Sequence, residues 1–170
     1  GLPGTEGVPN KQGFDHSYGY YDQSRAHGFF PNFLMRNGET DSIPENYGFN
    51  MDRVYKYNRR SPDNLEGVKN VYDKKGNLIP DGIPDPDKAK YSENLFQNDA
   101  LSFIRENKNK PFFLYYATQI PHGPCITPDL GKYKEKSWSL KHKEWASMVS
   151  HMDRGEIGRA SCRERVCHRV

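Results

Sequence analysis

An α/β fold is expected for this 170-residue chain, with helices sandwiching part of a mixed, largely parallel sheet, and three observations predict it. An unbroken apolar and aromatic run, Phe112 to Ala117, is too short for a helix and rich in residues that suit a pleated surface. Just before it, apolar residues recur at helical spacing from Ser92 to Asn107. A second amphipathic pattern runs from Ser139 to Asp153, and helix followed by buried strand is an α/β unit.

Taken in order, residues 1–15 are rich in glycine and proline and read as an extended loop, with Gly13 at a backbone geometry other residues resist. From His16 to Phe33 the rings of Tyr18, Tyr20, Tyr21, Phe29, Phe30 and Phe33 either pack beneath a loop or line a wall for a flat sugar face. His27, within that segment, is a candidate substrate contact or a structural hydrogen-bonding group. From Asn37 to Pro86 the chain is polar, punctuated by Asn37-Gly38, Ser61-Pro62-Asp63, Lys75-Gly76-Asn77 and the Pro80 to Pro86 run. Short strands are expected at Arg53 to Tyr57 and Val68 to Tyr72, forming a hairpin with Leu78 and Ile79 across Lys75-Gly76-Asn77. Loops mounted on a rigid sheet carry specificity, so this region is the one expected to vary with substrate. Asp81, Asp85 and Asp87 lack the spacing and terminal Glu of a calcium loop and read as a solvated turn.

Ser92 is the expected N-cap of the first long helix, and Glu93 puts negative charge in its first turn, where the helix dipole favours it. Phe96, Ala100, Phe103 and Ile104, widened by Leu95 and Leu101, form its apolar stripe, and Lys110-Pro111 follows its end. In the second helix Trp145, Met148, Val149 and Met152 fall on one side. His142 and His151 do not make a His-Glu-x-x-His zinc pair and read as surface residues.

Continuous rather than alternating apolarity predicts that both faces of Phe112 to Ala117 are covered, as in a central strand. Pro121 and Pro124 lack backbone donors, so pairing must stop near Gln119. His122 is thereby held in a stiff loop beyond the strand's carboxyl end, where ligands gather in open α/β sheets. It reads either as a ligand-binding imidazole or as a surface histidine in a turn.

With 34% hydrophobic residues, 15 Gly and 12 Pro, the composition fits loop-rich enzyme sequence better than a self-sufficient core. No apolar run approaches the ~20 residues a membrane span needs. After Gly155 the pattern breaks: Glu156 to Val166 reads as the in-frame translation of a sequencing-library adapter, so residues 156–170 are expected to be a foreign tail. The tail carries four arginines against two glutamates, and without it the net charge falls from +3 to +1, no argument for a nucleic-acid partner. Cys162 and Cys167 leave with it, so Cys125 is the one cysteine of the natural portion. Nucleotide-binding glycine loops and the Gly-x-Ser-x-Gly elbow are absent from the sequence.

Five ordered segments carry a family resemblance: Gly4-Thr5-Glu6-Gly7 with Pro9-Asn10-Lys11-Gln12-Gly13-Phe14-Asp15; Gly19-Tyr20 and Gln23 with Ala26-His27; Pro111 to Tyr115; Pro121-His122-x-Pro124; and Met148-Val149-Ser150-His151-Met152-Asp153. Together they resemble the sulfatase family, of the alkaline-phosphatase-like superfamily, from Gly1 to about Arg154. The family's Cys-x-Pro/Ala-x-Arg motif, whose cysteine becomes the formylglycine nucleophile, has no counterpart here. Thr127 and Asp129 follow Cys125, and Glu164 and Val166 follow Cys162, at the positions where the motif needs Pro or Ala and Arg.

The resemblance therefore implies that residues 1–155 are an internal fragment of a sulfatase catalytic domain. Its calcium ligands and formylglycine would lie outside this chain, with no metal ligand inside it and no activity expected of the isolated fragment. The implied enzyme is a sulfuric ester hydrolase acting on carbohydrate or aryl sulfates, with His122 contacting the sulfate and no nucleic acid or membrane span. It implies a periplasmic, extracellular or lysosomal address. Two alternatives stay open: a phosphoesterase or phosphonate hydrolase of the same superfamily, and a non-catalytic glycan-binding module using the rings from Tyr18 to Phe33.

Overall fold

The computed structural model describes residues 4–50 and 70–155, and within them the chain builds two small antiparallel sheets and two long helices. The strand expected at Arg53 to Tyr57 and the tail with Cys162 and Cys167 lie outside the described residues.

A 3-10 turn, Pro9–Gln12, ends at Gly13 with φ of 94°, a left-handed geometry that glycine adopts without a Cβ penalty. Strands β1 (Tyr18–Gly19), β2 (Phe33–Arg36) and β3 (Glu39–Ser42) form one sheet in that order. Asn37 and Gly38 join β2 to β3 with φ of 52° and 89°, the doubly left-handed turn whose twist matches a two-residue hairpin. Helix α1 (Gln23–Ala26) is short and begins at Asp22, whose side chain accepts from the Ser24 amide at 2.8 Å. The expected second hairpin is present: β4 (Val71–Tyr72) pairs with β5 (Leu78–Ile79). Its turn is held by Asp73, whose Oδ1 accepts from the amides of Lys75 at 2.7 Å and Asn77 at 2.8 Å. Gly48 and Gly82 meet back to back, and a Cβ on either would strike the other's carbonyl oxygen.

Helix α2 spans Ser92–Asn107 and α3 spans Leu140–Arg154. Ser92 is the first residue of α2 rather than its cap, and its hydroxyl donates to Gln119 at 2.6 Å; Tyr91 holds the cap position, where its side chain makes no capping bond. Ser139 does cap α3, accepting from the His142 amide at 3.4 Å. The core joins Phe29, Phe30, Leu78, Ile83, Tyr91, Ile120, Ile126 and Met148. Asn46, fully buried, clasps its far sides: its amide donates to the Pro31 and Lys90 carbonyls at 2.8 Å each, and its oxygen accepts from the Lys90 amide at 2.8 Å.

The sheet departs from expectation. Every strand pair among the described residues is antiparallel, and Phe112 to Ala117 has no partner strand there. Its exposure alternates: Phe112, Leu114 and Tyr116 are half-buried, whereas Phe113 and Tyr115 are 75% and 72% exposed. One side of the run rests on α2, with Phe112 edge-on to Phe103 at 5.6 Å, and no described strand covers the other. Among the described residues no helix is long and apolar enough to cross a membrane.

Candidate functional site

The segment from Tyr116 to Gln119 is anchored by one buried carboxylate. Glu93, 1% exposed in the first turn of α2, accepts from the Tyr116 hydroxyl at 2.6 Å, the Thr118 hydroxyl at 2.9 Å and the Gln119 amide at 3.2 Å. Burial raises the Tyr116 phenol above its ordinary value, and the bond to Glu93 adds to the rise, so it stays a donor. The Gln119 side chain extends the anchor in two directions. Its oxygen accepts from the Ser92 hydroxyl, and its amide donates to the Ala26 carbonyl at the end of α1. The end of α1, the start of α2 and the segment after α2 are thus tied together through one glutamine. The Tyr20 hydroxyl lies beside Ser92 and Gln119, buried and without a hydrogen-bond partner of its own.

That tie brings the two histidines singled out in the sequence together. His27 and His122 stand 95 positions apart in the chain, yet their ring centroids are 5.0 Å apart at 72°. His122 is exposed, and its neighbours Ile120, Pro124, Cys125, Ile126 and Thr127 are buried, so a short tip projects from a clamped base. Its backbone amide donates to the Met148 sulfur at 3.3 Å, fastening the tip to α3.

Each imidazole has one nitrogen committed. Nδ1–H of His27 donates to the Gln23 carbonyl at 2.8 Å, and Nδ1–H of His122 donates to the Gly123 carbonyl at 2.5 Å. Carbonyl oxygens only accept, so the pairing fixes the proton on Nδ1 in both rings and leaves Nε2 for a ligand. A ring so oriented donates from Nε2 only in its doubly protonated form, the form suited to an oxyanion.

The backbone beside His27 is strained. Phe29 takes a φ of 61°, a rare geometry for a bulky residue, while its side chain is fully buried and its carbonyl accepts from the Ser92 amide at 2.9 Å. Packing against Tyr91, with stacked rings 5.7 Å apart, holds that geometry in place.

The aromatic segment is not gathered into an open wall. Phe29 and Phe30 are core residues, Arg36 covers the Tyr18 ring at 3.9 Å, and Arg25 covers Phe33 at 4.4 Å. Near them a cleft of about 610 Å³ is crossed by Asp99, which accepts from Arg36 at 2.5 Å and pairs with His16 at 2.7 Å. Its one arginine is paired with Asp99 and Asp41, so it offers no free cation to an anionic ligand.

His151, expected at the surface, is half-buried between α3 and α2: Nε2–H donates to Asn94 at 2.7 Å, and Tyr91 meets the ring edge-on at 5.5 Å. His142 is exposed as expected. The Cys125 thiol is buried and raised, by burial first and then by Glu144, which leaves it unreactive. Sequence reading missed Glu93 and Gln119 as site-builders. The available signal was the polar pair Thr118-Gln119 breaking an apolar run just before the loop.

The residues present do not fit a resident cation: no group of three or more His, Cys, Asp or Glu side chains among the described residues could hold a metal ion.

A family model described as Sulfatase matches residues 5–159, which includes both histidines, the Glu93 anchor and α3, and ends inside the segment expected to be foreign. No curated protein matches the chain. A match over that span, with the motif order and the joined histidines, places the chain in the sulfatase family.

Proposed function

We propose that His122 and His27 form the sulfate-oxygen-binding rim of a sulfuric ester hydrolase acting on carbohydrate or aryl sulfates. The nucleophile, a formylglycine, and the calcium ligands come from sequence outside residues 1–155. The observation that carries this reading is the pairing at 5.0 Å of exposed His122 with half-buried His27 at the end of α1, each with Nδ1 committed to a carbonyl. When it carries a proton on Nε2, His122 donates to a sulfate or leaving-group oxygen and stabilises the charge that develops there. The same reading takes Phe112 to Ala117 as a strand of the family's largely parallel, alkaline-phosphatase-like sheet, with partners outside the described residues. The enzyme would act in a periplasmic, extracellular or lysosomal compartment, where sulfated glycans are met.

The test is His122→Ala in a chain joined to the flanking catalytic segments, assayed on an aryl sulfate. Turnover is expected to fall by roughly 10² to 10³, the cost of one oxyanion donor. Turnover within about threefold of the parent removes His122 from the site. The 170-residue chain alone is expected to release no sulfate.

A further inference from the structure

The stretch from Gly131 to Lys143 gathers five lysines against one glutamate, a net +4 inside a chain whose total is +3. Outside this stretch residues 1–155 carry a net −3, so the net positive charge of that portion comes from it alone. A 3-10 turn, Gly131–Tyr133, leads into this stretch, and the Tyr133 hydroxyl is fixed to Ser150 at 2.8 Å. Tyr133 and Trp138 stack with centroids 5.7 Å apart at 25°, and Lys132 lies over the Tyr133 ring at 5.2 Å. Trp138 remains 47% exposed. Lys134 is occupied by Glu135 at 3.0 Å, and Lys143 donates to the Lys134 carbonyl at 2.9 Å. Lys132, Lys136 and Lys141 are exposed, and among the described residues no carboxylate pairs with them.

The helix that follows adds to the imbalance. The first turn of α3 holds Lys141 and Lys143 and no acidic residue. A helix dipole disfavours cations at that end, and an anion bound beside them offsets that cost.

We propose that Lys132, Lys136, Lys141 and Trp138 form a docking surface for a sulfated polysaccharide. The choice of sulfate rests on the proposed function; the cationic and aromatic surface does not. The Trp138 ring offers a flat apolar face to the C–H side of a sugar, while lysines, compact point charges on flexible stems, follow sulfate groups spaced along a polymer. A nucleic acid is the weaker fit, because the surface has no arginine fork among these residues.

Binding of the full 170-residue chain to dextran sulfate, with uncharged dextran as reference, tests the surface without turnover. A Trp145→Phe background leaves Trp138 as the one tryptophan, so its fluorescence reports contact directly. Dextran sulfate is expected to bind and shift that emission, and dextran to do neither. Trp138→Ala, and separately Lys136→Glu with Lys141→Glu, weaken binding about tenfold. Trp138→Phe, which keeps a ring, retains it within about threefold. Lys108→Glu with Lys110→Glu, the same charge change at the exposed end of α2, leaves it unaltered.

The proposal is overturned if the Lys108/Lys110 control weakens binding as much as the Lys136/Lys141 pair, or if Trp138→Ala has no effect. Equal affinity for single-stranded RNA or for phosphatidylserine vesicles overturns it as well. Loss of turnover in His122→Ala and loss of polymer binding here are separate readouts, so either reading can fail alone.

Discussion

At Glu93 three donors converge on a carboxylate that is 1% exposed, and the segment leading to His122 depends on all three. Glu93→Ala leaves buried donors without an acceptor and is expected to cost about 2–4 kcal/mol, whereas Glu93→Gln keeps one acceptor oxygen and costs less. Urea midpoints of the two variants check the order; equal losses would contradict the network. His151 sets a pH limit of a different kind. Burial holds its imidazole below the ordinary value, with Asp129 opposing and Arg154 reinforcing the shift. As pH falls below about 6.5 the unfolded chain takes up a proton that the folded chain refuses, so stability drops with acidification and returns as pH rises. His151→Gln is expected to lose less stability than the parent between about pH 7.5 and about pH 5. Parallel denaturation curves for the two proteins would exclude that role.

Among the elements, α3 shows how a sequence stripe and a buried face can differ. Trp145, Met148, Val149 and Met152 share a side in the sequence pattern, yet only Met148 is fully buried; the others are 45%, 37% and 38% exposed. The face turned inward is Glu144, Ser147 and Met148, joined by half-buried His151, a spacing of one helix side with polar members. Met148→Ala is therefore expected to cost about 2–5 kcal/mol, and Val149→Ser about 0.5 kcal/mol or less, by equilibrium unfolding. A costly Val149→Ser would turn the helix back toward the sequence expectation. Both helices were legible because their period and stops are local, and the β4–β5 hairpin because Lys75-Gly76-Asn77 names its own turn. The β2–β3 hairpin was marked just as plainly by Asn37-Gly38 and went unread because β3, Glu39–Ser42, is polar throughout and shows no apolar alternation.

Over the whole molecule, legibility falls with sequence separation. His122 was found from prolines beside it, and His27 from a resemblance. Their proximity depends on Gln119 reaching back to Ala26, a contact across 93 positions that no local pattern encodes. The polar partners of Glu93 come from 23 to 26 residues away, so the charge read as a dipole companion proved to be an anchor. The sheet was overreached for the same reason: six apolar residues in a row fix a strand's inward side and say nothing of what lies against its outward one.

The bare rings of Phe113 and Tyr115 also decide how this polypeptide behaves in a tube. Two molecules that meet along that ribbon lose apolar surface to each other and gain backbone bonds, and a third can join them. Concentrated solutions should turn turbid, and a lysine at Tyr115 should keep them clear.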